Sequence, residues 1–178
     1  MKKIYYARHG LSEMNVLGLF SGAGSDTILT DKGRLQARQA GKKVKESGLN
    51  FDIIIASPLK RAHETALLIA KELGFPSHKI ILQDLLKERH FGELEGAPFL
   101  PGHGKNPHLL DDIPGIETMA ELHERAKEFI EWLNNLEHET ILVVGHGAMG
   151  RAIRRTMSGQ TMYDHSDAFD NATIEQLA

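Results

Sequence analysis

The chain has 178 residues, enough for one domain with a full hydrophobic core. Hydrophobic residues make up 41% and charged residues 25%, and 21 basic against 24 acidic side chains leave a net charge of -3. That balance offers no general attraction to nucleic acid or to an anionic membrane, so any affinity for anions must be local. The absence of cysteine excludes disulfides, thiolate catalysis and sulfur-ligated zinc, and fits a reducing, cytoplasmic setting.

The N-terminus starts basic with Met1-Lys2-Lys3, but the apolar run after it is cut off at Arg8. That is too short for a signal peptide, and no segment approaches a membrane span. Lys3 to Ala7 is predicted to be a buried strand, and it leads directly into Arg8-His9-Gly10-Leu11-Ser12-Glu13-Met14-Asn15. Gly22-Ala23-Gly24 lacks the third glycine of a dinucleotide loop and does not join a strand to a helix. It is expected to be a turn beside the site. Thr30-Asp31 opens a helix to about Ser47, with Gly48 near its C-terminus. Phe51 to Ala56 is a second buried strand. Ser57 and Pro58 follow as N-cap and first helical position, with an apolar stripe at Leu59, Ala62, Ala66, Ile69, Ala70 and Leu73.

Lys79 to Leu82 resembles the earlier strands. Residues 96–115 differ: Pro98, Pro101, Pro107 and Pro114 stand among glycines with no period, and the stretch holds no arginine and only Lys105 as lysine. No second core follows, so this is expected to be a surface excursion over the site and not a linker. A helical stripe then runs through Met119, Leu122, Ala126, Phe129, Ile130, Leu133 and Leu136. Thr140 to Val144 is a fourth strand ending at Gly145-His146-Gly147, and Arg154-Arg155 on the late helix are expected to face solvent. Strands alternating with helices predict an α/β, three-layer fold: a largely parallel central sheet with helices on both faces, in one domain spanning 1–178.

Two strand ends that each deliver a histidine beside glycine suggest one site holding two imidazoles. Neutral imidazole is a good nucleophile because its unperturbed pKa lies near ~6.5. His9 has a rigid base and an open approach, and Arg8 with Arg61 can supply permanently charged forks to phosphate oxygens. Asn15 adds neutral donors, His146 can donate to the transferring group, and glycines such as Gly147 let backbone N–H groups approach an anion. The departing alkoxide needs a proton. Glu88, in Leu86-Lys87-Glu88-Arg89-His90-Phe91-Gly92, is the candidate acid and later base, since a carboxyl beside a dianionic ester holds its proton more readily.

These residues resemble the histidine phosphatase superfamily, which contains phosphoglycerate mutases and many broader phosphatases. Its Arg-His-Gly-x-Thr/Ser-x-x-Asn signature is met at Arg8, His9, Gly10, Ser12 and Asn15. Leu29-Thr30-Asp31-Lys32-Gly33-Arg34-Leu35-Gln36-Ala37 matches a second motif, and Ser57 to Ala66 matches Ser-Pro-x-x-Arg-Ala-x-x-Thr-Ala without a gap. Glu88, Gly92, Glu95 and Gly96 follow the acidic pattern, and His146-Gly147 the second histidine. The resemblance implies a phosphohistidine on His9, a phosphate pocket from Arg8, Arg61 and His146, proton transfer by Glu88, and no metal or other cofactor. The chain departs from the pattern at Leu94, where a tryptophan is common, and at Gly145, where a serine hydroxyl is often found.

Each residue alone would carry little, since a lone histidine is usually structural, an isolated Arg61 is usually solvated, and surface glutamates are common. Their joint placement in matching contexts decides otherwise. His103, His108, His123 and His165 lack His-x-x-x-His spacing with a carboxylate motif, so they are expected to be solvated and not metal ligands. Ser21, Gly22 and Arg89 are the candidate substrate contacts. The expected activity is a phosphomonoesterase acting on a small phosphorylated metabolite or a phosphorylated protein, with neither nucleic acid nor membrane as partner and no oligomeric state implied. Glu88-Arg89-His90-Phe91-Gly92 resembles the mutases' Glu-Arg-His-Tyr-Gly, which keeps a 2,3-bisphosphoglycerate-dependent mutase as the alternative. Against it stand the excursion's lack of arginine and Pro114-Gly115-Ile116-Glu117-Thr118, which resembles the phosphatase branch. A non-catalytic phospho-ligand binder is the third reading.

Overall fold

The computed structural model describes residues 2–104, 106–160 and 168–177. A five-stranded sheet runs through its centre in the order β3-β2-β4-β1-β5. The strands are β1 (Lys3–Arg8), β2 (Ile53–Ala56), β3 (Ile81–Leu82), β4 (Thr140–Gly145) and β5 (Ile174–Gln176). All pair in parallel except β5, which is antiparallel to β1 at the edge. The helices are α1 (Glu13–Leu17), α2 (Asp31–Ser47), α3 (Lys60–Leu73), α4 (Met119–Asn134) and α5 (Gly147–Ser158).

Side chains alternate across a strand, so each face of the sheet has its own core. Ile4, Tyr6, Ile53, Ile55, Ile141 and Val143 pack beneath α4 and α5. Ala7, Ile54, Ala56, Leu142 and Val144 pack beneath α2 and α3. The predicted three-layer α/β architecture is the one observed. Because β1 and β4 are adjacent and in parallel register, with Arg8 opposite Gly145, their C-terminal ends deliver His9 and His146 side by side.

The motif around His9 is fixed by backbone contacts. A Cβ on Gly10 would lie 2.4 Å from the Gly33 carbonyl oxygen, and one on Gly33 would lie 2.2 Å from the Leu11 carbonyl oxygen, so only paired glycines permit this crossing. Thr30, the N-cap of α2, accepts from Gly33 N and donates to Leu11 O, while Gln36 Oε1 accepts from Leu11 N. Thr65 on α3 accepts from Gly10 N at 3.0 Å. Two distant motifs therefore hold the loop that follows β1.

Several local expectations are corrected. α3 begins at Lys60 with Leu59 at its N-cap, so Ser57 does not cap it, and the Ser57 hydroxyl instead faces the second histidine. β3 is two residues long at the sheet edge, preceded by a 3-10 turn over Ser77–Lys79, and Leu82 is 45% exposed, so 79–82 is not a buried strand. Arg154 and Arg155 are not simple solvent-facing charge. Arg154 stacks over Phe169 at 3.7 Å and pairs with Glu175, and Arg155 is buried. β5 had no recognised signal, being three residues long. His165 and Lys105 lie outside the described residues.

The excursion does lie over the site. Leu110 and Ile116 form a small core with Phe20, against which Phe91, Leu94 and Ile113 pack. Phe99, His103, Gly104 and Pro107 face the same cavity as His9.

Candidate active site

At the C-terminal end of the parallel strands lies a cavity of about 340 Å³. Arg8, His9, Asn15, Ser21, Glu88, Arg89 and Gly147 line it, whereas Arg61 and His146 stand fully buried behind its wall.

His9 is 3% exposed, and its Nδ1 lies 2.7 Å from the Gly10 carbonyl oxygen. A carbonyl can only accept, so Nδ1 carries the proton and Nε2 keeps its lone pair. Burial, then the charges of Arg61 and Arg8, hold this imidazole well below its usual pKa, opposed by the bond to Gly10. A neutral ring with a free Nε2 follows at physiological pH. His146 is likewise held well below its usual value, by burial first and then by Arg61, His9 and Arg8. The two rings meet edge to face with centroids 5.2 Å apart.

Ser57 is a site residue that the motif match did not single out: its hydroxyl lies 2.8 Å from His146 Nε2. Tyr6 is another. Its hydroxyl accepts from His146 N at 2.7 Å and donates to His146 O at 2.8 Å. Both could have been suspected from Gly145, which lacks the hydroxyl often found before this histidine. Arg151, one turn into α5, lines the cavity as well and carried no signal in the sequence.

Arg61 donates from Nη1 to Ser25 O and from Nη2 to the carbonyls of Ser21 and Gly22. Arg8 donates from Nη1 to Phe169 O at 3.3 Å. Asn15 uses its Oδ1 to accept from Ser12 N in the capping box of α1 and still lines the cavity. Four buried polar atoms of this neighbourhood have no partner: Nε of Arg8, Nε of Arg61, Nδ1 of His146 and Oγ of Ser21. Buried polar groups are ordinarily satisfied, so such a cluster has donors and acceptors to offer a polar ligand or ordered water.

Glu88 reaches from the far side to the N-terminus of α5. Its Oε1 accepts from Arg89 N and Met149 N, and its Oε2 from Ala148 N alone.

Two of the expected substrate contacts have other work. Each guanidinium nitrogen of Arg89 is engaged, with the carbonyls of Glu117 and Pro107 and with Asp111 at 2.6 Å. Arg89 is thus a clamp on the excursion and not a substrate fork. Gly22 does not reach the cavity, and a Cβ there would lie 2.2 Å from the Arg89 carbonyl oxygen. Glu95 secures that turn by accepting from Gly22 N, Gly24 N, Phe91 N and the Ser25 hydroxyl. Burial pushes the Glu95 carboxyl up, but these donors outweigh it and hold the group below its usual value. Among the described residues, no group of three His, Asp or Glu side chains is placed to hold a metal ion, and no helix is long and apolar enough to cross a membrane.

Two imidazoles, two arginines and a carboxylate are thus gathered at one end of the sheet. The family model of the histidine phosphatase superfamily (branch 1) matches residues 4–178, and the chain belongs to that superfamily, whose members are phosphatases or mutases. It is 34% identical to a putative phosphoserine phosphatase 2 from Hydrogenobacter thermophilus, over 99% of this chain and 89% of the relative. It is 47% identical to a 2,3-bisphosphoglycerate-dependent phosphoglycerate mutase from Methylobacterium sp. (strain 4-46), over 87% of this chain and 80% of the relative. Among solved structures, a phosphoserine phosphatase mutant from Entamoeba histolytica in complex with phosphoserine superposes with a TM-score of 0.78. That pair shares 29% identity and covers 98% and 89% of the two chains.

Proposed function

We propose that this chain hydrolyses phosphate monoesters through a phosphohistidine formed on His9. The observation that carries the reading is the set of unpartnered buried atoms on Arg8, Arg61, His146 and Ser21 around a neutral imidazole whose Nε2 is free. Nε2 attacks phosphorus, the phosphorus–oxygen bond to the leaving group breaks, and the departing alkoxide takes a proton from Glu88. Oε2 of Glu88 accepts only one backbone bond, which leaves a lone pair for that proton. Water then attacks the phosphohistidine and gives its proton to Glu88, and the phosphorus–nitrogen bond breaks to return neutral His9. Arg8 and Arg61 neutralise charge on the transferring group, the electrostatic work a metal does elsewhere, and Asn15, the Gly147 N–H and the neutral His146 ring add hydrogen-bond donors. The substrate is a small phosphorylated metabolite or a phosphorylated protein, and the lack of cysteine favours a cytoplasmic setting.

The second reading is a 2,3-bisphosphoglycerate-dependent mutase, favoured by the name of the Methylobacterium relative. Hydrolysis is preferred because the excursion offers no arginine for a substrate carboxylate, and Arg89 is committed to Pro107, Asp111 and Glu117.

Rapid quench of the enzyme with p-nitrophenyl phosphate should trap phosphate that is labile in acid and stable in alkali, and peptide mapping should place it on His9. His9→Ala should abolish both the label and phosphate release. A label on His146, or an acid-stable ester, would overturn the assignment. Transfer to 3-phosphoglycerate exceeding release to water would replace the phosphatase with the mutase.

A further inference from the structure

The cavity also has an apolar, aromatic wall. Leu19, Phe20, Phe91, Phe99, His103 and Leu110 line it. Phe20 anchors this wall, with ring centroids 4.9 Å from Phe91, 5.2 Å from Phe99 and 4.9 Å from His103. Phe99 is nevertheless 43% exposed, an apolar ring held at the cavity mouth where water reaches it. A ligand ring stacked there would remove that surface from water.

The charged lining is one-sided. Arg8 and Arg151 contribute cations to it, Arg89 being paired with Asp111, and Glu88 is the carboxylate among the described lining residues. Glu88 is already held by three backbone N–H groups. The nearby carboxylates are occupied too: Asp111 by Arg89, His108 and Met119 N, and Glu117 by Arg125. Among the described lining residues, an ammonium group on a substrate would meet cations and aromatic edges and no carboxylate but Glu88.

We infer that the site selects phosphate monoesters of aromatic or otherwise apolar alcohols and discriminates against those of simple amino alcohols. This rests on the phosphatase reading and narrows it to a substrate class that the name of the Hydrogenobacter relative does not suggest.

The test compares kcat/KM for 2-phenylethyl, propyl and 2-aminoethyl phosphate, which all release a primary alcohol; the ammonium makes the amino alkoxide the better leaving group, so a lower value for that ester reports binding and not chemistry. Burying the phenyl group should favour 2-phenylethyl over propyl phosphate by about tenfold or more. The unpaired ammonium should place 2-aminoethyl phosphate below propyl phosphate by about fivefold. Phe99→Ala, a change at a partly exposed position, should collapse the first ratio and leave the second. Arg151→Gln should narrow the second and leave the first. Equal values for the three esters, a preference for the amino ester, or turnover of p-nitrophenyl phosphate with none of the three would overturn the inference while leaving the phosphatase intact. Failure to release phosphate from p-nitrophenyl phosphate as well would instead overturn the phosphatase reading, and this inference with it.

Discussion

Tyr6 and Gly145 form a pair that exchanges one hydroxyl for another. The Tyr6 side chain is fully buried, and burial first, then the Glu88 charge, pushes its hydroxyl far above its usual pKa, so it stays protonated. From there it bonds both the N–H and the carbonyl of His146, and a Cβ on Gly145 would lie 2.4 Å from it. A Cβ on Gly150 would lie 2.5 Å from the same ring. The glycine where a serine is often found is therefore the space that the tyrosine fills. Gly145→Ala should destabilise the protein by ~1–3 kcal/mol through overpacking. The same change should cost much less in a Tyr6→Leu background, where the clashing atoms are gone. Urea midpoints of the four proteins check this, and additive costs would show that the two residues do not share the space.

At the scale of elements, one buried side chain ties the second half of the excursion to its surroundings. Arg89 joins the carbonyls of Glu117 and Pro107 to the Asp111 carboxylate, and Asp111 also accepts from the first N–H of α4. Breaking a buried pair by removing one partner typically costs ~3–5 kcal/mol. Arg89→Gln should therefore loosen residues 96–115 first. Limited proteolysis should cut that stretch faster while the sheet stays protected, and KM should rise more than kcat falls. An unchanged cleavage rate with a collapse in kcat would restore Arg89 to the reacting centre. The same scale shows what was legible in the sequence. α2 runs from Asp31 to Ser47 as its caps Thr30 and Gly48 announce, because capping is local chemistry. β3 and β5 were misjudged or missed because two or three residues at a sheet edge carry no periodicity of their own. Arg8, His9 and Glu88 were legible because they sit in fixed motifs, whereas the work of Arg89, Tyr6 and Ser57 depends on partners 18 to 140 positions away.

The whole molecule converges on two imidazoles that it keeps uncharged. β1 and β4 deliver them, and α3 supplies the Arg61 charge that, after burial, depresses both. The unfolded chain has histidines near the ordinary pKa of ~6.5, while the folded values lie well below it. Between those limits the unfolded state binds more protons than the native state, so stability rises with pH there and is lost as pH falls. The slope is about 1.4 kcal/mol per pH unit for each such histidine. Urea unfolding followed from pH 7.5 to 5.5 should show this loss in the parent protein, and His146→Gln should show a shallower one, smaller by about one proton's worth. The variant removes one titrating group while the surface carboxylates common to both proteins cancel in the comparison. Superimposable pH profiles would mean that His146 titrates alike in the folded and unfolded chains, and the neutral imidazole pair would have to be abandoned.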